Sequence, residues 1–121
     1  MSTNTLRIGT RESELARQQA HEVKDILETK NFLTDLVPIK SDGDMDLIKP
    51  IYSLGIQGVF TKTLDIALLE NKIDIAVHSL KDVPTQLPRG LILGAVLKRG
   101  SARDVLIYKE KRTMDTPATI A

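Results

Sequence analysis

Leu6-Arg7-Ile8-Gly9 sets apolar residues on alternate positions and runs straight into Thr10-Arg11-Glu12-Ser13, a stretch of helix-entry residues with acids in the first turn. The reading is strand, turn, helix. Leu15, Ala16, Ala20, Val23, Ile26 and Leu27 then recur at steps of three and four, leaving Arg17, Gln18, Glu22, Lys24, Asp25 and Glu28 for the wet face. A helix is therefore expected from about Ser13 to Thr29. Leu36-Val37-Pro38-Ile39 is extended in character, and Pro38 cannot donate a ladder hydrogen bond, which places that strand at a sheet edge.

Further along, Phe60, Leu64, Ala67 and Leu68 mark a second amphipathic helix, ending near Asn71, a residue that tolerates the left-handed closing conformation. Ile73, Ile75, Ala76 and Val77 form a nearly continuous apolar run, suited to a strand covered on both faces. After the turn from Pro84 to Gly90, Leu91 to Leu97 reads as another strand, and Val105 to Tyr108 as one more. Strands alternating with helices build crossovers and a mainly parallel sheet, so the fold class is α/β. Between Lys40 and Gly58 the glycines, Pro50 and the cluster Asp42, Asp44, Asp46 show no sustained period and read as a loop or lid.

The whole chain has 121 residues, with 17 Lys+Arg against 16 Asp+Glu, 41% hydrophobic and 3% aromatic residues. That length fits one ordinary domain. Near-neutral charge, scattered cations and no Trp leave no electrostatic footprint for nucleic acid. No run of about 20 apolar residues points to a membrane, and Met1 to Thr10 lacks the order of a signal peptide, so a cytoplasmic protein is expected. Zero cysteines exclude disulfides, thiolate metal sites and a cysteine nucleophile, while His21 and His78 are too few and too far apart to suggest zinc. The three loop aspartates lack the spacing and the terminal glutamate of an EF-hand, so no metal site is expected.

In a parallel sheet, ligands bind beyond the carboxyl ends of the strands, which directs attention to two segments. In the first, Arg11 stands where helix N–H groups and the dipole favour an anion, with Ser13 and Gln19 within reach of the same anion. The alternative makes Ser13 a helix cap and Arg11 a solvated surface charge. In the second, His78-Ser79-Leu80-Lys81-Asp82-Val83-Pro84 sets a cation for an acidic ligand beside a carboxylate able to move a proton or stabilise a developing cation. Here the alternative is a solvated Lys81–Asp82 ion pair in a turn set by Pro84, and His78 reads as a structural histidine.

The strings Leu6 to Ser13 with Leu15-Ala16 and Gln19-Ala20-His21, then Gly58-Val59-Phe60-Thr61-Lys62, Ala67 to Asn71 and Asp74-Ile75-Ala76-Val77-His78-Ser79-Leu80-Lys81-Asp82-Val83-Pro84, resemble the porphobilinogen deaminases (hydroxymethylbilane synthases). The resemblance runs in order along nearly the whole chain. It implies a transferase of tetrapyrrole (haem) synthesis that condenses four porphobilinogen molecules head to tail, releasing ammonia each time, on a covalent dipyrromethane cofactor. It also implies a fold like one half of a type II periplasmic binding protein. By position, Asp82 matches the catalytic aspartate, which assists loss of ammonia and stabilises the cationic azafulvene that follows. Arg11, Ser13 and Lys81 match groups that hold carboxylates of cofactor or substrate, Gln19 a further cleft residue, and Phe60 an aromatic near the rings.

Departures from the family pattern carry their own expectations. Ser41-Asp42-Gly43-Asp44 and Gly55-Ile56-Gln57-Gly58 lack two cations common in relatives, and Arg99-Gly100-Ser101-Ala102-Arg103-Asp104 keeps only the outer residues of the family's linker. Residues 1–99 are expected to form a first domain, incomplete without a segment returning from the second, and 100–121 the linker and start of that second domain. The family's later arginine-rich segment and its cofactor-bearing cysteine are absent from these 121 residues, so the dipyrromethane has no attachment point here. The isolated chain is accordingly expected to be inactive, to need the missing C-terminal domains as partners, and to self-associate. A non-catalytic anion-binding module on the same fold is the alternative; it explains Arg11 and Lys81 but gives no reason for Asp82.

Overall fold

The computed structural model describes residues 4–40 and 61–103. The chain enters as strand β1, Leu6–Thr10, crosses through helix α1, Glu14–Thr29, and returns as β2, Thr34–Pro38. Helix α2, Lys62–Leu69, leads to β3, Ile75–Ala76, and to a short 3-10 turn, Leu80–Asp82. The three strands form one parallel sheet in the order β2-β1-β3. Ile8 is opposite Leu36 on one side and Ile75 on the other, so β1 is central and is the most deeply buried strand. The fold class is α/β, and β2, with Pro38, lies at the edge of the described sheet.

The helix ends show why these segments are helical. Ser13, in an extended conformation, accepts a hydrogen bond from the Ala16 N–H, and Glu14 sits at the positive dipole end of α1. Both helices close through an asparagine in the left-handed region: Asn31 at φ 66 and Asn71 at φ 57. In each case the following residue donates five positions back, Phe32 to the Leu27 carbonyl and Lys72 to the Ala67 carbonyl, and so satisfies a terminal acceptor. A further tie fixes α1 on the sheet, since Lys24 Nζ contacts Glu28 and both side chains bond the Thr34 hydroxyl at the start of β2.

The core cluster lies where α2 meets the sheet: Leu64, Ala67 and Ile73 are buried, with Val37, Ile39, Leu68 and Ala76 packed around them, while Ile8, also buried, points from the opposite face of β1. Gly9 is the point of closest approach, because a Cβ there would run into the Ile73 Cδ1 methyl and crowd Leu64. Across the sheet, Arg7 clamps Asp74 with two side-chain hydrogen bonds of 3.0 and 2.9 Å while its backbone N–H also donates to that carboxylate at 2.9 Å. The Asp74 carboxyl is thereby held down to about 2, chiefly by the Arg7 side chain and then by the Arg7 backbone N–H.

Two expectations need correction. Leu91 to Leu97 is not a strand: it runs irregularly along the surface, with Ile92 87% exposed. Its apolar composition suits a sheet, but a strand exists only against a ladder partner, and no described strand lies beside it. The apolar stripe of α1 is also only partly covered. Ala20 is buried and Ala16, Val23 and Leu27 are half-buried, whereas Leu15 and Ile26 are exposed and are not covered by the three described strands. The loop from Lys40 to Gly58, apart from Lys40 itself, and the Val105–Tyr108 segment lie outside the described residues. Among the described residues no helix is long and apolar enough to cross a membrane, and no group of three or more His, Cys, Asp or Glu side chains stands ready for a metal.

Candidate functional site

β1 and β3 are parallel neighbours, so the chain leaves both at the same end of the sheet. From β1 it turns through Arg11 and Glu12 into the Ser13 cap of α1; from β3 it turns through Val77, His78 and Ser79 into the 3-10 turn. Facing each other across this end, the two segments enclose a cleft of about 250 Å³. Arg11, Ser13 and Gln19 line one wall, and His78, Lys81 and Asp82 the other. The site thus sits beyond the carboxyl ends of parallel strands, where α/β sheets take ligands.

The walls are linked directly. Ser79 Oγ donates to Gln19 Oε1 at 3.0 Å, so the Gln19 amide carries its donors, the NH2 group, for the cleft. Arg11 is half-buried at the turn, beside the Ser13 cap and the positive end of α1. Lys81 is exposed and Asp82 half-buried, and among the described residues the two do not pair with each other. The Lys81–Asp82 ion pair of the bland reading is therefore not formed. Ser13 fills both of its readings, since it caps α1 and also lines the cleft.

His78 is the most enclosed ionisable group of the site. Burial pushes its imidazole below the ordinary histidine range, against the pull of Asp65 and Asp82, and Arg11 pushes the same way as burial. Asp65, on α2 behind it, is shifted in the opposite sense: burial raises its carboxyl, with His78 and a hydrogen bond from Thr61 opposing. Each group is thus biased towards its neutral form.

Of the residues singled out from the sequence, Arg11, Ser13, Gln19, Lys81 and Asp82 meet at this cleft, while Phe60 lies outside the described residues. The reading missed Ser79, whose role across the cleft depends on a contact sixty positions away. It also treated His78 as structural only, although the residue forms part of the cleft wall. His21, on α1, is exposed and takes no part.

Residues 6–121 match the family model described as porphobilinogen deaminase, dipyromethane cofactor binding domain. A curated relative, the probable porphobilinogen deaminase of Methanocaldococcus jannaschii, is 50% identical over 105 residues, which cover 87% of this chain and 36% of that protein. The chain therefore spans just over a third of the length of the curated relative it matches.

Proposed function

We propose that this chain, which belongs to the porphobilinogen deaminase family, supplies one wall of the active cleft of a hydroxymethylbilane synthase, a transferase of tetrapyrrole synthesis. The observation that carries this reading is Asp82, a half-buried carboxylate unpaired by the adjacent Lys81, in a cleft whose other polar lining includes the cations Arg11 and Lys81 and the donors Ser13 and Gln19, with apolar Leu15, Ala16 and Val77 beside them. A site for simple anions has no use for that negative charge. A ligand with acidic side chains and a ring that becomes positive during reaction uses both.

Porphobilinogen has that form. Arg11 and Lys81 would hold its acetate and propionate groups, with the Ser13 hydroxyl and Gln19 amide adding hydrogen bonds. Asp82 would face the pyrrole nitrogen. When the bond from the aminomethyl carbon to its protonated nitrogen breaks, neutral ammonia leaves with the electron pair and the positive charge passes into the ring, where the Asp82 carboxylate lowers its energy. The free α-carbon of a second pyrrole then forms the new carbon–carbon bond and loses its proton. Phe60 is assigned a place beside the rings.

The dipyrromethane cofactor would supply the first acceptor pyrrole. Cationic and hydroxyl groups of the cleft suit its carboxylates, whereas the chain, with no cysteine, offers no thiol to anchor it. We assign residues 1–99 to the first domain and 100–121 to the passage into the second, which fits the exposed, irregular course of residues 91–103. The further domains would be its partners and the cytoplasm its setting, and the 121-residue chain alone would not turn over.

Calorimetric titration of the chain with porphobilinogen tests the reading. Binding that is lost in Arg11→Leu is expected, without sustained release of ammonia. In a protein of the relative's full length, Asp82→Asn should keep binding and lower turnover by about a hundredfold or more, because an amide brings no charge to the developing cation. Equal affinity for sulfate and porphobilinogen, or near-normal turnover of Asp82→Asn, would sink it.

A further inference from the structure

One buried ionisable side chain of the cleft wall has no part in the chemistry assigned above. His78 follows β3 directly, and its Nε2 is buried with no hydrogen-bond partner among the described residues. Such a nitrogen has given up water without replacement, an arrangement that folded proteins rarely keep without a reason. Charged groups face the ring from each element packed against it. Asp65 approaches from α2, Arg11 from the turn after β1, and Asp82 from the 3-10 turn, with Lys81 in the same wall.

We propose that His78 is a positioning residue of the cleft: set in the cleft wall with its Nε2 buried and unpartnered among the described residues, it couples the charge on α2 to the cleft and sets how strongly the cleft takes a carboxylate ligand. The ligand half of this statement rests on the carboxylate-binding reading above; the coupling half does not. At neutral pH burial favours the uncharged ring, and the positive charge of the cleft comes from Arg11 and Lys81. As the pH falls, a proton taken up by His78 places a further cation in the field of Asp65 and Asp82. That cation adds to Arg11 and Lys81 and tightens the hold on a carboxylate ligand. Interaction between sites is reciprocal, so a bound carboxylate favours the protonated ring, and a protonated ring favours the ionised form of Asp65.

The chain contains only two histidines, so the His78 resonances can be assigned against a His78→Gln spectrum. In an NMR titration of the unsubstituted chain, the His78 midpoint should lie below the ordinary histidine range, and the Asp65 carboxyl carbon should show a second inflection at that midpoint. Porphobilinogen should bind severalfold more tightly near the lower end of that titration and raise the His78 midpoint, and His78→Gln should abolish both the second inflection and the pH dependence of affinity. Absence of the second inflection from Asp65 would overturn the coupling. Porphobilinogen binding with the same pH dependence in the unsubstituted chain and His78→Gln would overturn the role in ligand binding. If porphobilinogen does not bind but the inflection is present, the coupling stands and the proposed function fails.

Discussion

At the residue scale, the clearest constraint is Gly9. It lies near the carboxyl end of β1 with Leu64 of α2 and Ile73 pressed against it, so even one methyl group must displace the Ile73 side chain or widen the gap to Leu64. Gly9→Ala is expected to destabilise the fold by about 1–3 kcal/mol, the usual cost of overpacking, read as a lower urea midpoint with an unchanged slope. A neutral outcome would mean that Ile73 has another rotamer available. Little of this was legible beforehand. The sequence shows a glycine after Ile8, but the neighbour that makes it necessary comes from sixty-four positions away and is set by the packing of α2. The cleft residues were more legible, because Arg11, Ser13, Lys81 and Asp82 follow strand ends within a few residues, and a parallel sheet brings such ends together. Ser79 was not, since its partner Gln19 lies on another element.

At the scale of elements, the helices were read closely because their signals are local. Ser13 caps α1 and Asn71 closes α2, and both act through their own neighbours in sequence. Strands depend on partners, and there the reading was less complete. β3 is ordered by the central strand: the Asp74 N–H donates to the Arg7 carbonyl and the Val77 N–H to the Gly9 carbonyl, with the Arg7–Asp74 pair clamping the join. Leu91 to Leu97 has a comparable composition and no such join among the described residues. The clamp gives a pH prediction whose sign follows from the lowered Asp74 carboxyl. A group that is more acidic in the fold than in the open chain contributes fully above its ordinary value of 3.8, and its contribution is lost as the pH falls through about 2. Asp74→Asn should therefore lower stability at neutral pH and flatten the acid limb between those values. Both residues of the clamp are partly exposed, so the loss should be small beside that of Gly9→Ala and should shrink with added salt. An acid limb identical to that of the unsubstituted chain would show that the pair contributes nothing.

At the scale of the whole molecule, the described residues bury few large side chains: Ile8, Leu64 and Ile73 are the only large apolar ones fully enclosed. Against them stands a long array of exposed apolar residues, among them Phe32 and Leu33 before β2, Ile66 and Leu69 on α2, and Ile92, Leu93 and Val96 beyond Gly90. Single exposed leucines are ordinary, but Ile92, Leu93 and Val96 lie within five consecutive residues of irregular chain, where apolar surface in water invites cover. β2 adds an edge with backbone groups directed outward, although Pro38 blunts it at one position. Burial of roughly 25 cal/mol per Å² of apolar surface would favour contact between copies once several such side chains meet. The 121-residue chain is therefore expected to associate. Its light-scattering mass should exceed the monomer value and fall towards it on dilution, and Ile92→Lys with Val96→Lys should shift the balance to monomer without changing the helix content. A monomer at every concentration, with a single cooperative unfolding transition, would show that this small core suffices and that the exposed stretch needs no cover.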